Sequence, residues 1–374
     1  MSLNTKPSSE VFDLFGTNVW STPTTQSIKY AGSKLKILPY IADIIKDLPI
    51  QTVLDGFSGS TRCGQAFSSW GLTTTSNDIS AYSRVIAECF LLNTQPPQYY
   101  QQFIDHLNNL KPIDGWFSTY YGGKEDEIKK PFQLKNTQKL DAIREEIDRL
   151  NLPSIEKSVL ITSLLLALDE VDSTLGHFSS YLKSWSSRSY KNLHLKVPNI
   201  TQNTLQHTVL QQDIFEVVEK GSWDLAYFDP PYGSGNEKMP PSRVRYQAYY
   251  HFWNSVVLND KPEVFGLNGR REDSRDKQAG SIFEEFRKDE TGDFLAINAV
   301  KKLIQETKVK YVLLSYNSGS PTSQKQLFNF LETQNILTTT EIDYKKNVMA
   351  KMTSTKQWLP DSSTYKEYLF LMQK

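Results

Sequence analysis

The chain is poor in the residues that build metal and redox sites. Among 374 residues there are only two cysteines, Cys63 and Cys89, in no metal-ligand spacing, and five scattered histidines. That argues against a disulfide framework or a structural zinc site and fits a reducing compartment. No run approaches the ~20 apolar residues needed to span a bilayer, and the polar start, Met1 to Glu10, lacks the basic and apolar regions of a secretory signal. A soluble, cytoplasmic protein with no metal and no membrane partner is expected. An excess of one charge is missing too. Lys plus Arg equals Asp plus Glu at 42 each, so the whole-chain balance does not point to a polyanion. Nor is there a repeat, a low-complexity tract or a Gly-x-x-x-x-Gly-Lys-Ser/Thr loop, which disfavours a nucleotide-hydrolysing P-loop.

The most informative residues present are Asp229-Pro230-Pro231-Tyr232, directly after the apolar run Trp223 to Phe228. An exocyclic amine is a poor nucleophile while its lone pair is conjugated with a ring, so a site that alkylates one must offer acceptors that draw the nitrogen towards tetrahedral geometry. Asp229 can accept one amine proton and the Pro230 carbonyl the other, and neither Pro230 nor Pro231 brings a competing backbone donor. The Tyr232 ring can stack on a planar base, worth roughly 1–3 kcal/mol, which offsets part of the cost of unstacking a nucleotide. A strand followed by a proline turn explains the same residues without any chemistry.

The length suits one catalytic domain carrying a substantial insertion. Residues 1–25 form a polar arm. The spacing predicts a helix over Lys36 to Leu48, a buried strand over Val53 to Phe57, a small-residue loop Ser58-Gly59-Ser60-Thr61 and a helix from Arg62 to Trp70. A strand over Leu72 to Ser76, ending at Asn77-Asp78, and a helix over Ala81 to Leu92 follow. This alternation argues for a parallel sheet covered on both faces. From about 95 to 205 the pattern changes to prolines, aromatics and helices at Asn136 to Leu150 and Ile155 to Glu170, and strand signals return at Leu225 to Phe228, Tyr311 to Tyr316 and Glu367 to Met372, with a helix around Phe294 to Thr307.

The turn through Gly59 lets a ligand approach the backbone at the carboxyl end of the sheet. Asp78 lies 19 residues further on, at the end of the next strand, where it can accept from both hydroxyls of a ribose. The pattern is not Gly-x-Gly-x-x-Gly, because Ser60 and Thr61 stand where another glycine is expected, so a pyrophosphate cradle is disfavoured. Two acid-free groups mix cations with aromatics: Lys183, Arg188, Lys191 and Lys196 with Trp185 and Tyr190, then Lys238, Arg243 and Arg245 followed by Tyr246, Tyr249, Tyr250, Phe252 and Trp253. Such mixtures suit a nucleic-acid surface, and equally a solvated basic face balanced by acids elsewhere.

Taken together, these residues resemble the alpha-group, Dam-type DNA adenine-N6 methyltransferases associated with restriction–modification. Lys29-Tyr30-Ala31-Gly32-Ser33-Lys34 is similar to that family's amino-terminal cofactor motif, and Asp55-Gly56-Phe57-Ser58-Gly59-Ser60 to its Phe-x-Gly loop. Asn77-Asp78 resembles the ribose-binding acid, Gln212-Asp213-Ile214-Phe215 the segment whose Asp meets the cofactor adenine, Asp229 to Tyr232 the catalytic signature, and Leu314-Ser315-Tyr316-Asn317 a later motif lining the target pocket. The resemblance, from about 28 to 372, implies an α/β fold: a Rossmann-like S-adenosylmethionine-dependent methyltransferase sheet made by 26–94 and 206–374, with an inserted, mainly helical target-recognition region at 95–205. It implies S-adenosyl-L-methionine as cofactor and a monomer acting on flipped adenine in double-stranded DNA, with Lys183, Arg188, Lys191, Arg243 and Arg245 on the DNA. Amino methylation of cytosine N4, of RNA adenine or of a protein glutamine, and a catalytically silent DNA-binding homologue, are the alternatives. Lys29 and Lys34 are equally surface cations before a helix, and Asp213 is equally a helix cap.

Overall fold

The computed structural model describes residues 20–124, 130–182, 184–231, 246–275, 280–285, 287–317, 321–344 and 365–374. Tyr232, Lys183, Lys238, Arg243 and Arg245 lie outside the described residues.

The centre is a seven-stranded sheet. Its strands in chain order are β1 Thr52–Asp55, β2 Thr73–Asn77, β3 Thr208–Leu210, β4 Trp223–Phe228, β5 Val309–Asn317, β6 Ile336–Tyr344 and β7 Tyr365–Gln373. Across the sheet they run β6-β7-β5-β4-β1-β2-β3. The strands from β3 through β5 pair in parallel, while β7 lies antiparallel between β5 and β6. The order reverses between β1 and β4, and in an open α/β sheet a ligand crevice forms outside the carboxyl ends of the strands at that reversal. Here those ends carry Asp55, Asn77-Asp78 and Asp229. Asp55 sits opposite Ser76 on one side and Tyr227 on the other.

The helices are α1 Leu38–Ile45, α2 Arg62–Ser69, α3 Ala81–Ala87, α4 Pro97–Asn109, α5 Trp116–Tyr121, α6 Leu134–Arg149, α7 Ser154–Val171, α8 Ile214–Lys220, α9 Tyr246–Leu258, α10 Leu295–Glu306 and α11 Pro321–Leu331. The helix expected over Ala81 to Leu92 changes to a π turn at Glu88–Leu92. One face of the sheet packs on α1 and α2 through Val53, Leu225, Leu313 and Leu369, the other on α8, α10 and α11 through Leu54, Ala226, Phe228 and Leu314. This division follows from the strict side-chain alternation of a strand buried on both faces. A third core joins α3, α4, α6, α7 and α9, and includes Tyr82, Ile104, Ile143, Leu164, Tyr250 and Trp253.

Helix α9 corrects one expectation. Aromatics following cations suit a nucleic-acid surface in sequence, yet Tyr250, Phe252 and Trp253 are buried: Phe252 packs on Tyr121 and Phe132, Trp253 on Phe178, and Tyr250 on Tyr30 and Tyr82. A buried ring has no face to offer a base. Arg144 of α6, itself buried, ties the helical layer to this helix: its Nε and Nη2 donate to the carbonyls of Val256 and Val257 at 2.6 and 3.0 Å, and Nη1 pairs with Asp148 at 2.8 Å. These carbonyls end α9 and would otherwise be orphaned. Arg144→Ala is expected to cost about 3–5 kcal/mol, the usual loss when one partner of a buried charged network is removed, measured as a lower denaturation midpoint in urea.

Candidate active site

The chain after β1 folds into a tight loop because its backbone donors are collected by neighbouring strands. Gly56 N–H donates to the Tyr227 carbonyl at 3.0 Å and Ser58 N–H to the Asn77 carbonyl at 2.9 Å. Gly59 N–H donates to Asp78 Oδ2 at 2.8 Å. A Cβ on Gly56 would come within 2.7 Å of the Phe228 ring, and Gly59 turns the chain with φ 48°. Where another glycine was expected, buried Thr61 adopts the left-handed conformation itself, φ 63°, at a cost of roughly 1–2 kcal/mol for a residue with a Cβ.

Asp78 is thus fixed by two backbone donors, Gly59 on Oδ2 and Ser80 on Oδ1 at 2.9 Å. A carboxylate has about four acceptor sites, so further donors can be received. Burial raises its pKa and these bonds only partly oppose that. Asp213 caps α8 by accepting from Phe215 N–H at 2.9 Å, so the capping role is real, and the residue also faces the cavity described next.

Tyr30, Ala31, Gly32, Lys34, Phe57, Asp78, Asp213, Asp229, Pro230 and Pro231 line one cavity of about 420 Å³, inside the ~300–1,000 Å³ range of small-molecule sites. Residues from four strand ends and the 30–34 segment converge there. That segment is held by α9: Tyr250 hydroxyl receives Ala31 N–H at 2.6 Å, Tyr246 hydroxyl donates to the Ala31 carbonyl at 3.3 Å, and the Tyr30 and Tyr250 rings stack 4.6 Å apart. Next to the proline turn, Pro230, Pro231, Phe283 and Tyr316 enclose a small apolar niche.

Lys34 does not sit as a surface cation. Its Nζ is 2.9 Å from both Asp229 Oδ1 and Glu367 Oε1. Burial alone would lower its pKa, but the two carboxylates outweigh that and hold it above the ordinary ammonium value.

Other expected residues are placed differently. Lys29 turns away from the cavity to pair with Asp169 and Asp172, at 3.4 and 3.1 Å. Arg188 pairs with the same Asp172 at 2.8 Å and donates to the Thr174 carbonyl at 2.8 Å, so much of its donor capacity is spent internally. Lys191 is exposed. Ser58 and Gly59 shape the loop without lining the cavity, and Asp55 lies behind it, 1% exposed.

The Asp55 carboxylate oxygens find no well-formed hydrogen bond among the described residues, and Gly64 N–H gives only weak compensation. Burial first, then the charges of Asp229 and Asp78, push its pKa up to about 8. The unfolded chain releases this proton near pH 4 and the folded chain near 8, so the group favours folding below pH 4 and loses that contribution progressively as pH rises to 8. Asp55→Asn is expected to flatten this decline of about 1.4 kcal/mol per pH unit per proton and to raise the denaturation midpoint at pH 8, checked by melting curves between pH 4 and 9.

Several lining residues carried no sequence signal. Ile282, Phe283 and Glu284 close the cavity from an aperiodic stretch, with Phe283 stacked on Phe215 at 5.8 Å and edge-on to Phe57 at 5.1 Å. Glu284 accepts Tyr246 N–H at 3.1 Å. Glu367 had one visible signal, an acid directly before the apolar run Tyr368 to Met372 of the strand Tyr365–Gln373.

Residues 30–317 match the family model of the D12 class N6 adenine-specific DNA methyltransferases. The modification methylase StsI of Streptococcus sanguinis is 26% identical over 354 residues, covering 88% of this chain and 50% of that protein. The modification methylase LlaI of Lactococcus lactis subsp. lactis is 27% identical over 316 residues, 78% of this chain and 46% of the relative. The type II methyltransferase M.NlaIII of Neisseria lactamica is 26% identical, with 93% of this chain and 99% of the relative covered. The chain therefore spans about half the length of the first two relatives and nearly all of the third.

Proposed function

Because the chain belongs to the D12 class of N6 adenine-specific DNA methyltransferases, we propose that it methylates the exocyclic N6 of a flipped adenine at one sequence in double-stranded DNA, as the modification partner of a restriction system. The supporting observation is a single cavity lined both by Asp229-Pro230-Pro231 and by Asp78 and Asp213. S-adenosyl-L-methionine fits the donor set: Asp78 has acceptor sites left for ribose hydroxyls, Asp213 can receive an adenine amine, and Phe57, Ile79 and Ile214 supply apolar walls. When bound, that cofactor supplies an electrophilic sulfonium methyl group.

The protein's contribution is positioning and exclusion of water. Asp229 Oδ and the Pro230 carbonyl accept the two amine protons and draw the nitrogen lone pair out of conjugation. Tyr232 holds the base by stacking. No strong base is needed, since the nitrogen sheds its proton after alkylation. We assign reading of the target to the 95–205 region, with Lys183, Arg188 and Lys191, together with Arg243 and Arg245, in a monomer acting on DNA. Among the described residues no helix is long and apolar enough to cross a membrane.

The test is transfer of tritium from methyl-labelled cofactor to plasmid DNA, followed by single-molecule sequencing of the product. N6-methyladenine in one recurring sequence context is expected. Label in N4-methylcytosine, in RNA, in protein glutamine or nowhere would overturn the assignment.

A further inference from the structure

We propose that Glu367 and Ser315 are positioning residues that act on Asp229 through Lys34. The inference rests on the acceptor role given to Asp229 above. Glu367 lies on β7, in the part of the chain beyond the residues matched by the family model. In the antiparallel β5–β7 pair Glu367 stands opposite Asn317, and Ser315 opposite Leu369. Glu367 and Ser315 are thus diagonal neighbours on one face, within reach of each other. Ser315 hydroxyl donates to Glu367 Oε1 at 2.6 Å, and the same oxygen takes Lys34 Nζ at 2.9 Å, which in turn reaches Asp229 Oδ1 at 2.9 Å. The three residues behind Asp229 are almost sealed from solvent, Lys34 at 8%, Glu367 at 3% and Ser315 at 0% exposure.

A lysine ammonium is a point charge on a flexible four-carbon stem and does not fix its own direction. Glu367, locked in turn by Ser315, gives it one. With Oδ1 engaged by a fixed ammonium, the Asp229 carboxylate cannot rotate about its Cβ–Cγ bond without breaking the pair, so the lone pairs offered to the amine keep their direction. A single carboxylate partner would satisfy the lysine charge. The second, placed by the carboxyl-terminal strand, adds geometry.

Single-turnover methylation by the full-length protein separates the possibilities, with Glu367→Leu, Glu367→Gln and Ser315→Ala compared to wild type at saturating DNA and cofactor. Misplacement of a reacting group by about 1 Å costs on the order of 100-fold. Glu367→Leu is therefore expected to slow the chemical step by about 10- to 100-fold, with cofactor Kd and DNA KM within about 3-fold of wild type. Glu367→Gln keeps an acceptor oxygen for Lys34 and Ser315, and should recover most of the rate. Ser315→Ala should fall between. A wild-type rate for Glu367→Leu, an equal impairment of Glu367→Gln, or a rate loss matched by loss of cofactor affinity would overturn the inference. Should the leucine variant fail to fold, a wild-type rate for Ser315→Ala does so. If the wild-type protein itself transfers no methyl group to DNA, it is the function proposed above that fails.

Discussion

Asp229→Ala is expected to lower single-turnover methylation by about 1,000-fold, the scale on which removal of one preorganised charge-stabilising group slows an enzyme, while cofactor affinity stays within a few-fold of wild type. Asp229 enters the cavity from the end of β4, and its Oδ1 is already engaged by Lys34. The alanine variant keeps the strand, the prolines and the Asp78 side of the cavity but removes the carboxylate proposed to receive an amine proton. Lys34 retains Glu367 as partner, so the buried ammonium is not orphaned and the fold should survive. Isothermal titration with S-adenosylhomocysteine and rapid-quench methylation give the two halves of the result. Normal turnover at saturation combined with a large loss of cofactor affinity would move Asp229 from the reacting amine to the cofactor.

Asp78→Ala should show the opposite split, with cofactor Kd rising about 100-fold or more and the rate at saturating cofactor much less affected. Hydrogen bonds to a charged group contribute about 1.5–3 kcal/mol each, so the two ribose bonds proposed for Asp78 would account for such a change. Part of the loss comes from within the protein, because Asp78 also anchors Gly59 N–H and Ser80 N–H. Asp78→Asn retains one acceptor oxygen and should lose less. The same titration decides it: unchanged affinity together with lost turnover would contradict a cofactor role.

The strands that position the site were legible where an apolar run ended in an abrupt polar or proline stop, as at Leu54-Asp55 and Phe228-Asp229-Pro230. β3 was too short, three residues, to leave an alternation. β6 is Thr-rich on an edge, so its polarity resembled a loop. Helix α9 was not legible because an aromatic-rich segment after cations satisfies two physical descriptions, a stacking surface and a buried helix, and only tertiary burial separates them. The pairing of Lys34 with Glu367 spans 333 residues of chain, and local pattern carries no trace of a contact at that separation. Lys29 and Lys34 looked alike as neighbouring cations, yet one serves the helical layer and the other Asp229.

Helix α9 belongs at once to the cavity wall, through Tyr246, and to the helical core, through Tyr250 and Trp253. Residues 95–205 are consequently not an interchangeable cassette. Grafting that segment from a relative would set foreign side chains against Phe252 and Trp253, and core misfits of this kind cost about 1–5 kcal/mol per site. A chimera exchanging residues 95–205 would need crossover points that carry α9 and the 30–34 segment along with the transplanted helices.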